Sequence, residues 1–311
     1  MSELRKGYTT GVTALFAFKS ALNIFLATKT LTFATSKKMQ NDDLDVTKGC
    51  KIVVTISDNK DDLPLNPLPH KPYTFNNIKL FAGRGVGVVT KDGLKPPKGF
   101  PAINPTPLNA MKKIAKDLKI EKTLFVSISV KDGEKIAKET ANEKVGVIGG
   151  ISILGTNGFV KPVSNKAYLD SIESELNFIK ANGYKEVIFT LGNTSLKEAL
   201  KVYSKEQVVE IGNFIYDGIK RALEKDLDVK LYIGVAKALK IAQGYKNTHN
   251  RFGTIDFMEF GKWIGEDLTG VITIKRVLEL YDRVMIVSVI EKRAKKMLFK
   301  WFEKEIGIII C

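Results

Sequence analysis

The chain has 311 residues, 44% hydrophobic and 27% charged, enough for about two domains with substantial cores, which argues against a mainly disordered or collagen-like protein. Lys and Arg number 49 against 34 Asp and Glu, a net charge of +15. That excess favours polyanionic partners (nucleic acid, an anionic membrane, or a small ligand with many carboxylates or phosphates), or else it is a lysine-rich surface that keeps the chain soluble. Two cysteines, Cys50 and Cys311, and two histidines, His70 and His249, argue against a disulfide framework and against a His/Cys metal site, and suggest a reducing, cytoplasmic setting.

In chain order, the first predicted element is a helix capped by Thr13 and running to Leu26. The apolar run 12–27 is interrupted by Lys19 and Asn23 and falls short of a membrane span, and Lys19 is also wrong for the apolar part of a signal peptide. Residues 51–57 alternate and are β-branched, a strand; 58–72 are a loop. Residues 83–90 read as a turn running into a strand. Residues 93–107 hold five prolines and are predicted to be a loop without helix. A helix over 109–117, a strand over 124–130, a tight turn at Asp132 and Gly133, and a strand-like run over 145–154 follow. From Ser164 the pattern alternates: helix 166–182, strand 186–191, helix 206–224, strand 229–233, helix 236–243, helix 257–267, strand 283–290 and a final basic helix 291–304. The expected fold is an α+β N-terminal domain, residues 1–160, followed by an α/β, doubly wound, Rossmann-like C-terminal domain, residues 161–311.

Several constellations carry chemistry. Thr9 and Thr10, between Gly7 and Gly11, precede the first helix, where free N–H groups and hydroxyls suit a carboxylate or phosphate; helix capping alone also explains them. Gly83, Gly85 and Gly87 resemble a nucleotide loop, but a strand follows where such a loop requires a helix. Gly149, Gly150, Gly155 and Gly158 surround a short apolar run, and glycines at that density allow a ligand to approach the backbone. Gly192 and Asn193 follow a strand directly, at the usual ligand position of an open α/β sheet. His249 lies among the hydrogen-bonding residues 247–251, whereas His70, in a proline-rich loop, has no partner in the sequence pattern. Asn41, Asp42, Asp43 and Asp45 form an acidic cluster without EF-hand spacing, a solvated loop rather than a cation site.

The order and wording of these segments are more specific than any one of them. "LRKGYTTGVTA", "NDDLDVTKG", "GRGVGVVTKDGLKPPKGFPAINPTP", "GVIGGISILGTNGFVKPVS", "LGNTS", "KALKIAQG" and "NTHNR" occur in that sequence over residues 4–251. In this the chain resembles the cobalt-precorrin-5B C1-methyltransferase family of anaerobic cobalamin biosynthesis, the CbiD type. It departs from the family pattern at Val12 and Thr13, at Leu191, at Gly234 and Ala236, and after Arg251.

The resemblance implies methyl transfer from S-adenosylmethionine to ring carbon C1 of a cobalt-containing tetrapyrrole, with cobalt arriving only as part of the substrate. It implies a donor site of Gly149, Gly150, Ser152, Gly155, Thr156, Gly192 and Asn193. Thr9, Thr10 and Lys237 would hold substrate carboxylates, the loop around Asn104 would cover the macrocycle, and His249 would position the ring or remove a proton. An anionic tetrapyrrole is then the expected partner, with no nucleic acid, no membrane and room for a homo-oligomer. A non-catalytic corrinoid binder is the alternative within the family. A basic nucleic-acid-binding protein is the alternative outside it, although no RRM, helix-turn-helix or zinc-finger signature is present.

Overall fold

The first helix, α1 (Thr10–Thr28), starts earlier than the sequence suggests, because Thr9 rather than Thr13 caps it: the Thr9 hydroxyl accepts the Val12 N–H at 3.2 Å. Thr13 instead sits inside the helix and donates to the Thr9 carbonyl. The computed structural model describes residues 5–42, 45–155, 158–160 and 165–311, and the chain divides into two compact units, Met1–Asn165 and Lys166–Cys311. The sequence reading placed that division at 160/161; residues 161–164 lie outside the described residues.

In the first unit a five-stranded sheet has the spatial order Thr32–Lys37, Lys51–Ser57, Leu124–Val130, Ile78–Ala82, Tyr73–Phe75. Only the pairing of Ile78–Ala82 with Leu124–Val130 is parallel. Period-2 alternation places Ile52, Val54 and Ile56 directly opposite Val130, Ile128 and Val126. These side chains share a core with Phe18 and Leu22 of α1 and Met111 of α2 (Pro105–Asp117). By length and mean hydropathy α1 could cross a membrane, a criterion Lys19 and Asn23 do not defeat, yet half of its most apolar stretch is buried within the unit. Helix α2 begins inside the stretch predicted to be helix-free. Pro105 takes its first position, where a missing N–H costs nothing. Asp132 leads into the short α3 (Gly133–Ala137) rather than a hairpin turn.

The glycine-rich segments form no long strand. Gly85–Val86 pairs parallel with Gly150–Ile151, and Val88–Val89 pairs antiparallel with Val147–Ile148. Each segment is interrupted at its central glycine, Gly87 or Gly149, so the runs 83–90 and 145–154 are both cut in two.

The second unit opens with α4 (Asn165–Ala181) and holds four strands in the order Val208–Glu210, Glu186–Leu191, Asp228–Ile233, Gly307–Ile310, all parallel. Val187 to Leu191 are buried without interruption, as a parallel strand covered on both faces requires. The helices are α5 (Asn193–Leu200), α6 (Ile215–Leu223), α7 (Val235–Ala242), α8 (Phe257–Ile264), α9 (Ile274–Leu280) and α10 (Arg283–Phe302). Two sequence expectations fail here. Residues 206–224 are not one helix: a short edge strand, Val208–Glu210, precedes the positive-φ turn at Gly212, and α6 starts afterwards. Residues 283–290 are not a strand but the first turns of α10. The Asp282 carboxylate caps that helix at the Met285 N–H, 2.7 Å, and Ile286, Ile290, Ala294 and Leu298 are buried at a spacing of four. That spacing shows only over a window longer than the β-branched run itself.

Candidate functional site

In the first unit, the N-termini of α1 and α2 both meet the segment Ser152 to Gly155. The Gly11 N–H donates to the Leu154 carbonyl at 2.7 Å, and the Leu154 N–H donates to the Thr10 hydroxyl at 2.8 Å. The Asn104 N–H donates to the Ile153 carbonyl at 3.0 Å. Thr9, Thr10, Asn104, Ser152 and Gly155 are thus brought together where the positive ends of two helix dipoles lie.

Their hydrogen-bonding capacity is mostly used internally. Thr9 caps α1, and Ser152 donates to Asn142 Oδ1 at 3.0 Å. The Asn104 side chain makes no cap bond to α2. A Cβ on Gly155 would lie 2.4 Å from Thr9 Oγ1, one on Gly149 2.7 Å from Asn66 Nδ2, and one on Gly150 2.2 Å from the Gly85 carbonyl carbon. These glycines allow protein to approach protein. Thr156 lies outside the described residues.

Asn66 was missed in the sequence. It is buried and donates to the Val86 and Gly149 carbonyls at 2.7 and 3.1 Å, tying the two glycine segments together. Its only signal is an asparagine among prolines in the loop 58–72. His70 does have partners. Its Nε2 accepts the Ala82 N–H at 3.1 Å, which leaves Nδ1–H to donate to the Leu68 carbonyl at 2.7 Å, a structural role. Asp42 and Asp45 of the acidic cluster are also structural, and Asp43 lies outside the described residues. Asp42 pairs with Arg5 at 3.0 Å, and Asp45 pairs with Lys38, which is only 1% exposed. Burial works to raise the Asp45 carboxyl, but hydrogen bonds from Lys38 and Thr47 outweigh it and hold it below the usual carboxylate range.

The second unit is different at the carboxyl ends of its strands. Gly192 follows Glu186–Leu191 with φ of 106°, and Gly234 follows Asp228–Ile233; nothing lies within 4 Å of where a Cβ would stand on either. Asn193 opens α5 and Val235 opens α7 at these ends, each helix directing its positive end there. A cleft of about 370 Å³ lies at this edge, lined by Leu191, Gly234, Lys237, Lys275, Arg283 and Cys311 among others. The ammonium of half-buried Lys237 has no hydrogen-bond or ion-pair partner among the described residues. Burial, and then the charge of Lys240, push its ammonium below the ordinary lysine value. Burial pushes the Cys311 thiol up, so it stands there as a neutral thiol.

A second cleft of about 680 Å³ is lined by Lys240, Asn250, Asp256, Met258 and Ile272 among others, and shares Ala236 and Ile274 with the first. Lys240, another residue missed, is 5% exposed, and its ammonium donates to the Thr248 carbonyl, Asn250 Oδ1 and the Gly253 carbonyl at 3.1, 2.7 and 2.9 Å. Its signal was a lysine between Leu239 and Ile241 on the buried face of α7. That lysine fixes the segment bearing His249. His249 is exposed and caps the short helix Asn250–Phe252, its Nδ1 accepting the Arg251 N–H at 3.1 Å, so in the neutral ring Nε2 carries the proton and faces away from that bond.

The CbiD family model matches residues 26–162. A cobalt-precorrin-5B C(1)-methyltransferase of Methanococcus maripaludis (strain C5 / ATCC BAA-1333) is 34% identical over 275 residues, 79% of this chain and 73% of the relative. The protein of that name from Thermoanaerobacter sp. (strain X514) is 31% identical across 93% of this chain and 83% of its own length. The Methanococcus aeolicus protein of that name is 39% identical over 219 residues, a stretch that spans 55% of that relative. A crystal structure of a cobalamin biosynthesis protein (cbiD) from Archaeoglobus fulgidus aligns with 99% of this chain at 23% identity and a TM-score of 0.37. On the extent of the match to these relatives, the chain belongs to the CbiD family.

Proposed function

We propose that this protein methylates ring carbon C1 of cobalt-precorrin-5B with S-adenosylmethionine, giving cobalt-precorrin-6A in anaerobic cobalamin biosynthesis. The observation that carries the reading is the family match extending through both units to relatives of that name. Methyl transfer to carbon is a displacement that depends on in-line positioning and exclusion of water. It fits a chain whose open strand ends offer room and charge rather than an acid–base dyad. Cobalt enters inside the substrate.

Among the residues assigned to the donor, Gly192 keeps the space that a ligand needs, whereas Gly149, Gly150 and Gly155 are filled against neighbouring protein. S-adenosylmethionine supplies the electrophilic methyl group, and the Gly192–Asn193 backbone at the start of α5 is where the chain would hold it. This reading assigns His249, exposed on a segment anchored by Lys240, to orient the ring or take a proton. The strand order of the second unit and its covered central strand favour the doubly wound reading of that domain.

The test is calorimetric titration with S-adenosylhomocysteine, with and without a corrinoid carboxylate, followed by anaerobic turnover read as one added methyl group by mass. Saturable binding strengthened by the corrinoid, with turnover, is the expected result. Corrinoid binding without turnover would leave a non-catalytic binder. A His249→Ala protein with unchanged turnover would remove that residue from the chemistry.

A further inference from the structure

We infer that the cleft lined by Lys237, Lys275 and Arg283 in the second unit is a carboxylate site, which holds an acidic arm of the macrocyclic substrate rather than the methyl donor. That the ligand is a macrocycle rests on the function proposed above; that it is an anion rests on the cleft alone.

The charged side chains lining the cleft are of one sign. Lys237, Lys275 and Arg283 line it, and among the described residues no Asp or Glu side chain does. Lys275 has one loose ion pair, to Glu279 at 3.9 Å, and neither Lys237 nor Arg283 has an ion-pair partner among the described residues. This is unlike the other inward lysines. Lys38 meets Asp45, and Lys240 donates to three oxygens. Burying part of an ammonium with no acceptor is unfavourable, and its persistence at the lip of a cleft is what an anionic ligand would relieve.

The backbone adds to this. Gly234 leaves open space at the start of α7, and the α7 dipole favours negative charge at that end. The cleft volume of about 370 Å³ admits a carboxylate-bearing side arm with its water, and the ring itself would lie outside. A sulfonium donor carries positive charge at its reacting atom, so the same field that attracts the carboxylate disfavours the donor there.

Of the three, only Lys237 stands out in the sequence. Lys275 and Arg283 come to the cleft from the ends of α9 and α10, the latter in a segment whose sequence reads as a strand.

The experiment is a fluorescence titration of the full chain with uroporphyrin I, a macrocycle bearing eight carboxylates, beside calorimetry with S-adenosylhomocysteine. Lys237→Ala and Arg283→Ala should each weaken uroporphyrin binding roughly tenfold, as loss of a charge-assisted hydrogen bond would, and leave the adenosyl ligand within about twofold. Lys201→Ala, at an exposed lysine paired with Glu198 and not among the cleft residues, should change neither. Thermal unfolding checks that each variant is folded, and Arg283, being exposed, is the variant least able to disturb the fold.

Uroporphyrin binding that is absent, or equally tight in both cleft variants, overturns the inference. So does loss of the adenosyl ligand instead of the porphyrin, which would assign the cleft to the donor. Lys237-dependent porphyrin binding in a chain that neither binds the adenosyl ligand nor turns over would sustain the carboxylate site and bring down the methyltransferase reading.

Discussion

The glycine-rich ends of the two units look alike in sequence and differ in what faces them. Gly149, Gly150 and Gly155 in the first unit are pressed against Asn66, Gly85 and Thr9; Gly192 and Gly234 in the second face open space. The lysines divide in the same way. Lys38 of the first unit is buried against a carboxylate, while Lys237 of the second lines a cleft without a partner. A glycine cluster therefore records close approach without saying what approaches. In one unit the approaching body is the protein's own backbone, and in the other the space is left for something else.

The contrast breaks most sharply at Gly150. A Cβ there would stand 2.2 Å from the Gly85 carbonyl carbon and 2.3 Å from its oxygen, backbone atoms of a paired strand that cannot swing aside. Gly150→Ala should cost at least about 4 kcal/mol, in the range reserved for severe steric damage. Urea unfolding followed by backbone circular dichroism measures it. A loss below 1 kcal/mol, on the order of an ordinary substitution, would mean the first unit's glycine segment is not closed.

The buried pair in the same unit gives the next effect. Asp45→Asn leaves the Lys38 ammonium inside without its carboxylate and should cost about 3 kcal/mol. The pH dependence has a definite sign. The Asp45 carboxyl titrates lower folded than unfolded, where it lies at about 3.9. Its contribution is therefore full above that unfolded value and disappears as pH falls through the depressed folded one. Acid titration of stability should show this limb in the unchanged chain and a shallower one in the variant.

Lys240 sharpens the comparison from the other side, since it is the second unit's satisfied inward lysine. Lys240→Met keeps the stem but removes the donor from the Thr248 carbonyl, Asn250 Oδ1 and the Gly253 carbonyl, at a cost of about 1–3 kcal/mol. Both tryptophans, Trp263 and Trp301, lie in this unit, so tryptophan fluorescence during unfolding reports it directly. An unchanged midpoint would show that residues 248–253 do not depend on that ammonium.

How much of this was legible follows the physics of each signal. Strands with strong local pattern, Lys51–Ser57, Leu124–Val130 and Glu186–Leu191, were read from alternation or continuous apolarity and appear with those same bounds. The strand Gly307–Ile310 was missed because four residues at the end of a basic helix carry little periodicity, although pairing with Asp228–Ile233 fixes it in the sheet. Thr32–Lys37 and Ile78–Ala82 were missed for a similar reason: their neighbours in the sheet, not their own composition, hold them extended. The glycines of the site were visible as glycines, but whether each faces protein or space is a tertiary property with no trace in spacing. The unpaired state of Lys237 is likewise set by what α9 and α10 fail to bring to it.

Gly234 gives the smallest effect and the cleanest control. Its φ of −73° and ψ of 152° suit any residue, and nothing stands within 4 Å of the added methyl. Gly234→Ala should therefore leave stability within about 0.5 kcal/mol. It should even gain slightly, because alanine restricts the unfolded chain more than glycine does. The methyl would, however, be added to a residue that lines the same cleft as Lys237. A variant of unchanged stability with weakened macrocycle binding would show that the space beside Gly234 is used by a ligand. A destabilised variant would show that this end of the second unit is filled by protein after all, and the distinction between the two units would fail.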